Sequence, residues 1–273
     1  MGKNKLLNVL KNIITSLISI VMAVPLILIL INSLKDKSES SSMSISLPKS
    51  IHFENFTKVI SQGKLVGSFL NSMMYSVVSI AIGIVVTTMA AYVLSRNKTK
   101  LNKFIYFFIV LGLAMPINFV TLMKVMQFTH LINTRLGLCL LYAAVKIPFS
   151  VFVIYGFIGT IPRDIDEAGI IDGSGPLTLF FKIIMPLLKP VIVTVGILNF
   201  LDAWNEFVLP LYFLNSASKW PMTLAVYNFF GQFASSWNLV CADIVLTSLP
   251  VIIIYLIGQK YIVAGMTSGA VKG

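Results

Sequence analysis

Residues 161–186 read IPRDIDEAGIIDGSGPLTLFFKIIMP and contain four of the ten acidic residues of the chain. Pro162 suits the first turn of a helix, and carboxylates early in that helix suit its positive end. Gly173 is predicted to end this helix, because glycine accepts the left-handed conformation that follows a helix terminus. Ser174 is then predicted to cap a second helix. A short apolar face on the first helix is predicted from residues at helical spacing: Ile161, Ile165, Ala168, and Ile171 or Asp172.

Two helices joined by a tight turn are therefore predicted here, in a segment that is polar where the rest of the chain is apolar. Ordering such a segment costs conformational entropy, so we expect it to dock on something. Three possibilities stay open from the residues alone. The segment could dock on its own helical bundle, dock on a partner, or lie at the membrane surface as an interfacial helix without a partner.

Apolar stretches lie on both sides of this segment and extend through most of the chain. A helix needs about 20 apolar residues to cross the hydrocarbon core of a bilayer. Six stretches meet that length, near residues 13–34, 69–94, 104–123, 137–160, 190–214 and 239–262. The first is too long for the apolar region of a signal peptide, about 7–15 residues, so it is predicted to be a retained helix. The predicted fold is all-α, a polytopic membrane bundle of six transmembrane helices.

The composition excludes an ordinary soluble domain. Of 273 residues, 57% are hydrophobic and 11% are charged, whereas a soluble domain carries about 25% charged residues. The mean hydropathy is +0.89. A net charge of +11 could indicate nucleic-acid binding, but no patch of aromatic and basic residues lies on a polar domain, so no nucleic-acid partner is expected.

The basic residues indicate the orientation of the chain in the membrane. Three lysines precede the first span, and the short loop Arg96–Lys103 carries four cations. Under the positive-inside rule these segments lie in the cytoplasm. Both termini and the segment 161–189 are therefore predicted to be cytoplasmic.

Polar side chains inside the predicted spans are the candidate functional residues. Asp202, Glu206 and Asp243 are acidic residues within spans, and each costs about 2.5–3.5 kcal/mol at the bilayer centre. Asp202, Asn205 and Glu206 are predicted to share one side of the fifth helix, by their i, i+3, i+4 spacing. Two interpretations stay open: an aqueous path through the membrane, or a buried polar network that holds helices together.

Three further polar residues are ambiguous. Asn118 follows Pro116 on the third span, and it either lines the same cavity or caps a kink. Asp243 and Lys146 could form an intramembrane ion pair.

Motifs for catalysis are missing from the sequence. A phosphate-binding loop needs Gly-x4-Gly-Lys-Ser/Thr, and neither Gly-Lys pair, Gly2-Lys3 or Gly63-Lys64, has that context. The two histidines show no metal-ligand spacing, and no Ser/His/Asp or Cys/His arrangement is found. The chain is predicted not to be an enzyme, to have no catalytic residues and no metal site, and to bind no cofactor itself.

Seven residues of the segment 161–189 stand at the spacing of a known signature: Glu167, Ala168, Gly169, Gly173, Ile183, Met185 and Pro186. This pattern resembles the EAA signature of ABC importer permeases, which reads Glu-Ala-Ala, three residues, Gly, nine residues, Ile, one residue, Leu-Pro. All spacings hold. Gly169 stands where the signature has alanine, and Met185 stands where it has leucine.

The resemblance covers about residues 53–273 and is closest to the carbohydrate branch, the second permease of maltose-type systems. It is carried by Ser68–Ser72, Ile161–Arg163, Ala203–Phe207 and Gly265–Gly273. It implies a binding-protein-dependent type I importer that moves a sugar or oligosaccharide. The alternatives are an ABC permease for another small solute, an ion-coupled secondary transporter or, with no supporting pair of groups, an intramembrane enzyme.

The resemblance also implies partners and residue roles. The partners would be a homologous permease in a heterodimer, a dimer of ABC ATPase subunits that hold ATP and Mg²⁺, an extracytoplasmic solute-binding protein, the sugar, and the lipids of the bacterial cytoplasmic membrane. Contact with the ATPase is assigned to five residues: Glu167, Ala168, Gly169, Asp172 and Gly173. The substrate pathway is assigned to Asp202, Asn205, Glu206 and Asn118.

With this resemblance, the chain is predicted to consist of three parts. Residues 1–64 form an N-terminal transmembrane helix and the first extracytoplasmic loop. Residues 65–264 form the permease domain, with the coupling loop at 161–189. Residues 265–273 form a cytoplasmic tail.

Overall fold

The computed structural model describes residues 2–229 and 236–270, with side chains at 7–229 and 236–261. All regular elements in this part of the chain are helical, which confirms the all-α prediction. The helices are α1 (Gly2–Ser33), α2 (Lys37–Ser40), α3 (Glu54–Gln62), α4 (Leu65–Arg96), α5 (Lys100–Leu111), α6 (Phe119–Phe128), α7 (Arg135–Ile158), α8 (Asp164–Ile171), α9 (Pro176–Leu187), α10 (Lys189–Asn205), α11 (Val208–Phe213), α12 (Met222–Ala225) and α13 (Trp237–Ala270). Residues 271–273 of the predicted tail lie outside the described residues.

Within residues 2–229 and 236–270, four helices are long and apolar enough to cross a membrane. They are α4, α7, the segment Leu7–Ser33 of α1 and the segment Trp237–Tyr261 of α13. These correspond to the first, second, fourth and sixth predicted spans. A fifth span is present if α9 and α10, which meet at a bend of 75°, are taken together.

The third predicted span, 104–123, is not one helix. It is divided between α5 and α6 by a break at residues 112–118. Pro116 has no backbone N–H and opposes continuation of a helix through this point. The Asn118 side chain accepts a hydrogen bond of 3.0 Å from the N–H of Thr121 and so begins α6. The predicted span 104–123 is therefore made of two helices rather than one.

The fifth predicted span, 190–214, is also interrupted. Helix α10 ends at Asn205, and Glu206 follows with an extended backbone, ψ 124°. The Glu206 carboxylate accepts hydrogen bonds from the N–H groups of Val208 (2.8 Å) and Leu209 (3.0 Å), so it satisfies the first donors of α11 from the residue before the N-cap, Phe207. A side chain that prefers to cap a new helix explains why the apolar stretch does not fold as a single helix.

The described residues fall into two compact units. The first lies within Met1–Val66 and Ala225–Pro250. It contains a buried lysine, Lys35, whose ammonium donates to the carbonyl of Ser44 at 2.7 Å and to Oδ1 of Asn32 at 3.1 Å. Buried ammonium groups are stable only when they are hydrogen-bonded in this way, so these contacts hold residues 34–46 in place.

The second unit lies within Gly67–Leu224 and Val251–Gly273. It holds all the residues assigned to ATPase contact and to the substrate pathway. One of its apolar clusters includes Ile154 of α7, Leu179 and Ile184 of α9, and Val195 of α10. This cluster connects the segment 161–189 to the helices on either side of it.

Candidate functional site

The turn after α8 follows the pattern predicted from its glycine. Gly173 has φ +79°, its N–H donates to the carbonyl of Ile170 at 2.9 Å, and the N–H of Ser174 donates to the carbonyl of Gly169 at 3.0 Å. These two bonds form a Schellman motif, which needs a left-handed residue at the position of Gly173. A residue with a side chain would be strained there by about 1–2 kcal/mol.

Two details of the predicted loop were wrong. Helix α8 begins at Asp164 rather than at Pro162. Ser174 does not cap the next helix, because Gly175 occupies the cap position before Pro176. Helix α9 begins at Pro176 without a side-chain cap, which is feasible because proline at this position has no N–H to satisfy.

Helix α8 is fixed to the end of α4 through Asp166. This carboxylate belongs to a residue that is only 9% exposed. It accepts a hydrogen bond of 2.5 Å from the Tyr92 hydroxyl, and its other oxygen lies 2.8 Å from the Arg96 guanidinium in an ion pair without hydrogen-bond alignment. Arg96 also donates to the carbonyl of Ile161 at 3.2 Å. One arginine therefore binds both the start of the loop and its first helix.

Gly169 brings α8 against α9. A Cβ added to Gly169 would lie 2.6 Å from Cδ1 of Leu179 and 3.0 Å from Cδ1 of Ile183. The glycine that departs from the family signature thus sits at a close approach of two helices. Leu179 and Ile183 lie in a π-helical stretch of α9, Leu179–Ile184, an irregularity that is frequent at functional sites.

The exposed face of α8 differs from the predicted apolar face. Asp166 and Gly169 are buried, whereas Glu167, Ala168 and Ile171 are exposed. The ion pair with Arg96 accounts for this orientation, since it turns Asp166 inward. We call the outward set the docking patch: Glu167, Ala168, Ile170, Ile171 and Leu177. Ile171 is 85% exposed, and such an apolar patch on a polar segment indicates an interaction site.

A second group of polar residues lies between α7 and α10. On α7 it uses every fourth residue, Tyr142, Lys146 and Ser150, so these share one face. Asn199 donates to the Ser150 hydroxyl at 2.9 Å, and Lys146 forms an ion pair with Asp202. We call these contacts the polar ladder.

The ladder corrects two predictions about the membrane carboxylates. Lys146 pairs with Asp202, and not with Asp243 as the sequence suggested. Glu206 does not share a helical face with Asp202 and Asn205, because α10 ends before it.

The exposure of these residues limits their roles. The Asp202 side chain is 64% exposed and that of Lys146 only 15%. Asn205 is also exposed. Charged and amide groups on a transmembrane helix avoid lipid, so this side of α10 faces water or another protein. Asn118 is exposed and caps α6, which agrees with its interpretation as the cap of a kink.

Sequence reasoning missed the residues that hold α8 against α4. The pairing of Asp166 with Tyr92 and Arg96 could not be detected, because Asp166 lies about 70 residues further along the chain. The ladder did leave a signal, the i, i+4 spacing of Tyr142, Lys146 and Ser150 in an apolar helix. Among the described residues, no three His, Cys, Asp or Glu side chains come together as metal ligands.

Known proteins resemble this chain over almost its whole length. It is 36% identical to the melibiose/raffinose/stachyose import permease protein MelC of Bacillus subtilis, over 96% of this chain and 95% of that protein. It is 33% identical to the probable starch degradation products transport system permease protein AmyC of Thermoanaerobacterium thermosulfurigenes, over 93% of each. Its fold matches, with a TM-score of 0.85 at 20% identity, a chain from the crystal structure of a bacterial ABC transporter involved in the import of the acidic polysaccharide alginate, covering 96% of this chain and 98% of that one.

A family model also matches, across residues 79–268, which include α7 to α10 and the segment 161–189. The family is described as the binding-protein-dependent transport system inner membrane component. These matches confirm the resemblance drawn from the EAA-like spacing. They also confirm that the chain is a transport subunit and not an enzyme. The chain therefore belongs to the binding-protein-dependent inner-membrane transport components, the permease subunits of ABC importers.

Proposed function

We propose that this permease forms, with a second and homologous permease, the path by which an ABC importer moves an oligosaccharide into the cell. A separate ATPase dimer holds ATP and Mg²⁺ and drives the movement, and an extracytoplasmic binding protein delivers the sugar. This chain itself binds no cofactor. The permease domain is 65–264, with the coupling loop 161–189, and residues 265–273 form the tail.

The docking patch is the observation that carries the coupling role. The buried Asp166 fixes one face of α8 to Arg96 of α4, while Ile171 and Glu167 on the other face are exposed. A helix that is anchored on one face and apolar on the other is suited to fit a groove of a partner. Ala168 lies on the outer face and allows a partner to approach closely, Gly169 allows α9 to approach on the inner face, and Asp172 and Gly173 end the helix in a defined turn.

Six membrane crossings with both termini in the cytoplasm place the coupling loop on the same side of the membrane as the ATPase. Four described helices are long enough to span, and α9 with α10 supplies a fifth. We propose that α5 and α6 together make the remaining crossing, in spite of the break at 112–118. An interrupted span is stable where neighbouring protein or water satisfies the freed backbone groups. The cations of Arg96–Lys103 support this orientation.

The substrate pathway is proposed to run along the exposed side of α10. Asp202 and Asn205 would offer acceptors and a donor to sugar hydroxyls, and Lys146 would hold Asp202 in place. Glu206 would contribute at the break where α10 ends, and Asn118 would lie at the break between α5 and α6. Such breaks place polar backbone groups at membrane depth, which is tolerated only beside a cavity or within protein.

The substrate class is supported by the names of the relatives. They are described as permeases for melibiose, raffinose and stachyose, for starch degradation products, for diacetylchitobiose and for multiple sugars. All of these are carbohydrates. The polar groups of the proposed pathway suit hydroxyl-rich solutes, because carboxylates, amides and ammonium groups all form hydrogen bonds with hydroxyls.

Uptake into proteoliposomes tests the substrate class. The permease would be purified with its partner permease, ATPase and binding protein, and supplied with radiolabelled raffinose, maltotriose or glutamine. We expect ATP-dependent accumulation of at least one of the two sugars and none of glutamine. ATP-dependent uptake of glutamine alone would contradict the carbohydrate proposal and leave the family assignment intact.

A further inference from the structure

Helix α4 is one uninterrupted helix of 32 residues, about 48 Å long at 1.5 Å per residue. At its Arg96 end it binds the coupling loop. The Tyr92 hydroxyl donates to Asp166 at 2.5 Å, and the Arg163 guanidinium donates to the carbonyl of Arg96 at 3.0 Å. These contacts form the inner clamp, defined by Tyr92, Arg96, Asp166 and Arg163.

At its other end α4 binds a different loop, residues 214–222, by contacts of the same kind. The Asn71 amide donates to the carbonyls of Ser218 (3.0 Å) and Trp220 (3.1 Å). The Tyr75 hydroxyl donates to the carbonyl of Lys219 at 2.8 Å. The hydroxyl of Ser72, also on α4, accepts from the N–H of Met222 at 2.8 Å. We call these contacts the outer clamp.

The outer clamp is buried, whereas the inner clamp combines the buried Asp166 with the half-buried Tyr92 and Arg96 and the exposed Arg163. On α4, Asn71 is 6% exposed, Tyr75 1% and Ser72 2%. The backbone carbonyls that they satisfy belong to a loop with little regular structure. Because unsatisfied buried polar groups are costly, the loop 214–222 is tied to the position of α4.

The loop 214–222 leads directly to the proposed pathway. The Thr223 hydroxyl, next to the loop, donates to the backbone carbonyl of Glu206 at 3.0 Å. Glu206 is the residue at which α10 ends and α11 begins. A continuous set of contacts thus runs from Asp166 along α4 to Glu206.

We propose that α4 is the element that transmits movement of the coupling loop to the loop 214–222 and to the break at Glu206. Tyr92 and Tyr75 are its positioning residues, about 26 Å apart along the helix. A helix without a break transmits displacement from end to end, whereas the bend between α9 and α10 and the break between α5 and α6 absorb it. The inference rests on the proposed function, because it needs an ATPase that moves the loop.

Single hydroxyl deletions at the two ends of α4 test the inference. Tyr92→Phe removes the bond to Asp166, and Tyr75→Phe removes the bond to Lys219, with little change in shape. Thr88→Val is the matched control, because the Thr88 hydroxyl lies between the clamps and bonds only within α4, to Ile84. Each variant would be assembled into the complete complex in nanodiscs. ATP hydrolysis would be measured with and without binding protein loaded with the sugar that supports uptake.

We expect Tyr92→Phe and Tyr75→Phe each to lower the stimulation of ATP hydrolysis by loaded binding protein about two- to tenfold, the effect of one hydrogen bond. Basal hydrolysis and subunit composition should not change. Stimulation in the double variant should be no lower than in the more impaired single variant, because both substitutions interrupt the same route of transmission through α4. Thr88→Val should behave as the unsubstituted protein.

Normal stimulation in Tyr75→Phe would overturn the inference, and so would effects of the two variants that multiply as independent events. A fall in assembly or basal hydrolysis equal to the fall in stimulation would also overturn it, since that result indicates a structural role. These outcomes are distinct from failure of the proposed function, in which the unsubstituted complex itself shows no stimulation.

Discussion

Replacing Asp202 by leucine is expected to destabilise the purified protein by about 1–3 kcal/mol, the cost of leaving a buried polar group without its partner. Lys146 is mostly buried between α7 and α10, and Asp202 is its ion-pair partner. Removal of Asp202 leaves the ammonium without an ion-pair partner among the described residues. The measurement is the midpoint of thermal unfolding in detergent.

The double variant Lys146→Met/Asp202→Leu separates packing from transport. The double variant no longer leaves the mostly buried Lys146 with an unpaired charge, so the unfolding midpoint should recover most of its loss. If Asp202 lines the sugar pathway, uptake should stay low in the double variant. Recovery of both stability and uptake would contradict the pathway role and support the interpretation of a purely structural network.

Arg96→Leu is expected to lower the free energy of unfolding by about 3–5 kcal/mol, because it leaves the buried Asp166 carboxylate without its cation. The loop should then detach from the end of α4. Two measurements detect this: the free energy of unfolding, and the rate at which trypsin cleaves at Lys182 in the loop. We expect the first to fall and the second to rise.

Arg163→Leu is the control for this prediction. Arg163 is exposed, and its guanidinium donates only to the carbonyl of Arg96. An exposed substitution of this kind should change stability by about 0.5 kcal/mol or less. Equal effects of the two variants would contradict the anchoring of α8 through Asp166.

Much of the fold was predictable because its main signal is local. Runs of apolar residues long enough to span a bilayer identified the helices α1, α4, α7 and α13. Gly173 could be assigned to a helix end because one residue type suits a left-handed position. The EAA-like spacing around Glu167 was equally local, and the family match confirmed the function it implied.

The interruptions were less predictable, because they depend on competition between a helix and a local cap. Glu206 could have continued α10, yet its carboxylate satisfies the first N–H groups of α11 instead. Asn118 does the same for α6. Hydropathy does not register this choice, since the apolar stretch continues on both sides of the cap.

The partners of the charged residues were the least predictable part. Lys146 was matched with Asp243, but the structure pairs it with Asp202. Asp166 was read only as one of several acids that suit a helix start, although it is the buried anchor of α8. Contacts between residues distant in sequence need the three-dimensional structure, because no period or motif relates such positions.

Co-purification of the ATPase with an Ile171→Glu variant tests the central claim most directly. Ile171 is the most exposed apolar residue of the docking patch, so a carboxylate there should not disturb this chain but should oppose burial in a partner's groove. Leu47→Glu, an equally exposed apolar position far from the loop in sequence, is the control. We expect Ile171→Glu to lose the ATPase and ATP-driven uptake while Leu47→Glu retains the ATPase. Normal ATPase recovery with Ile171→Glu, or uptake driven by a proton gradient without ATP, would contradict this account.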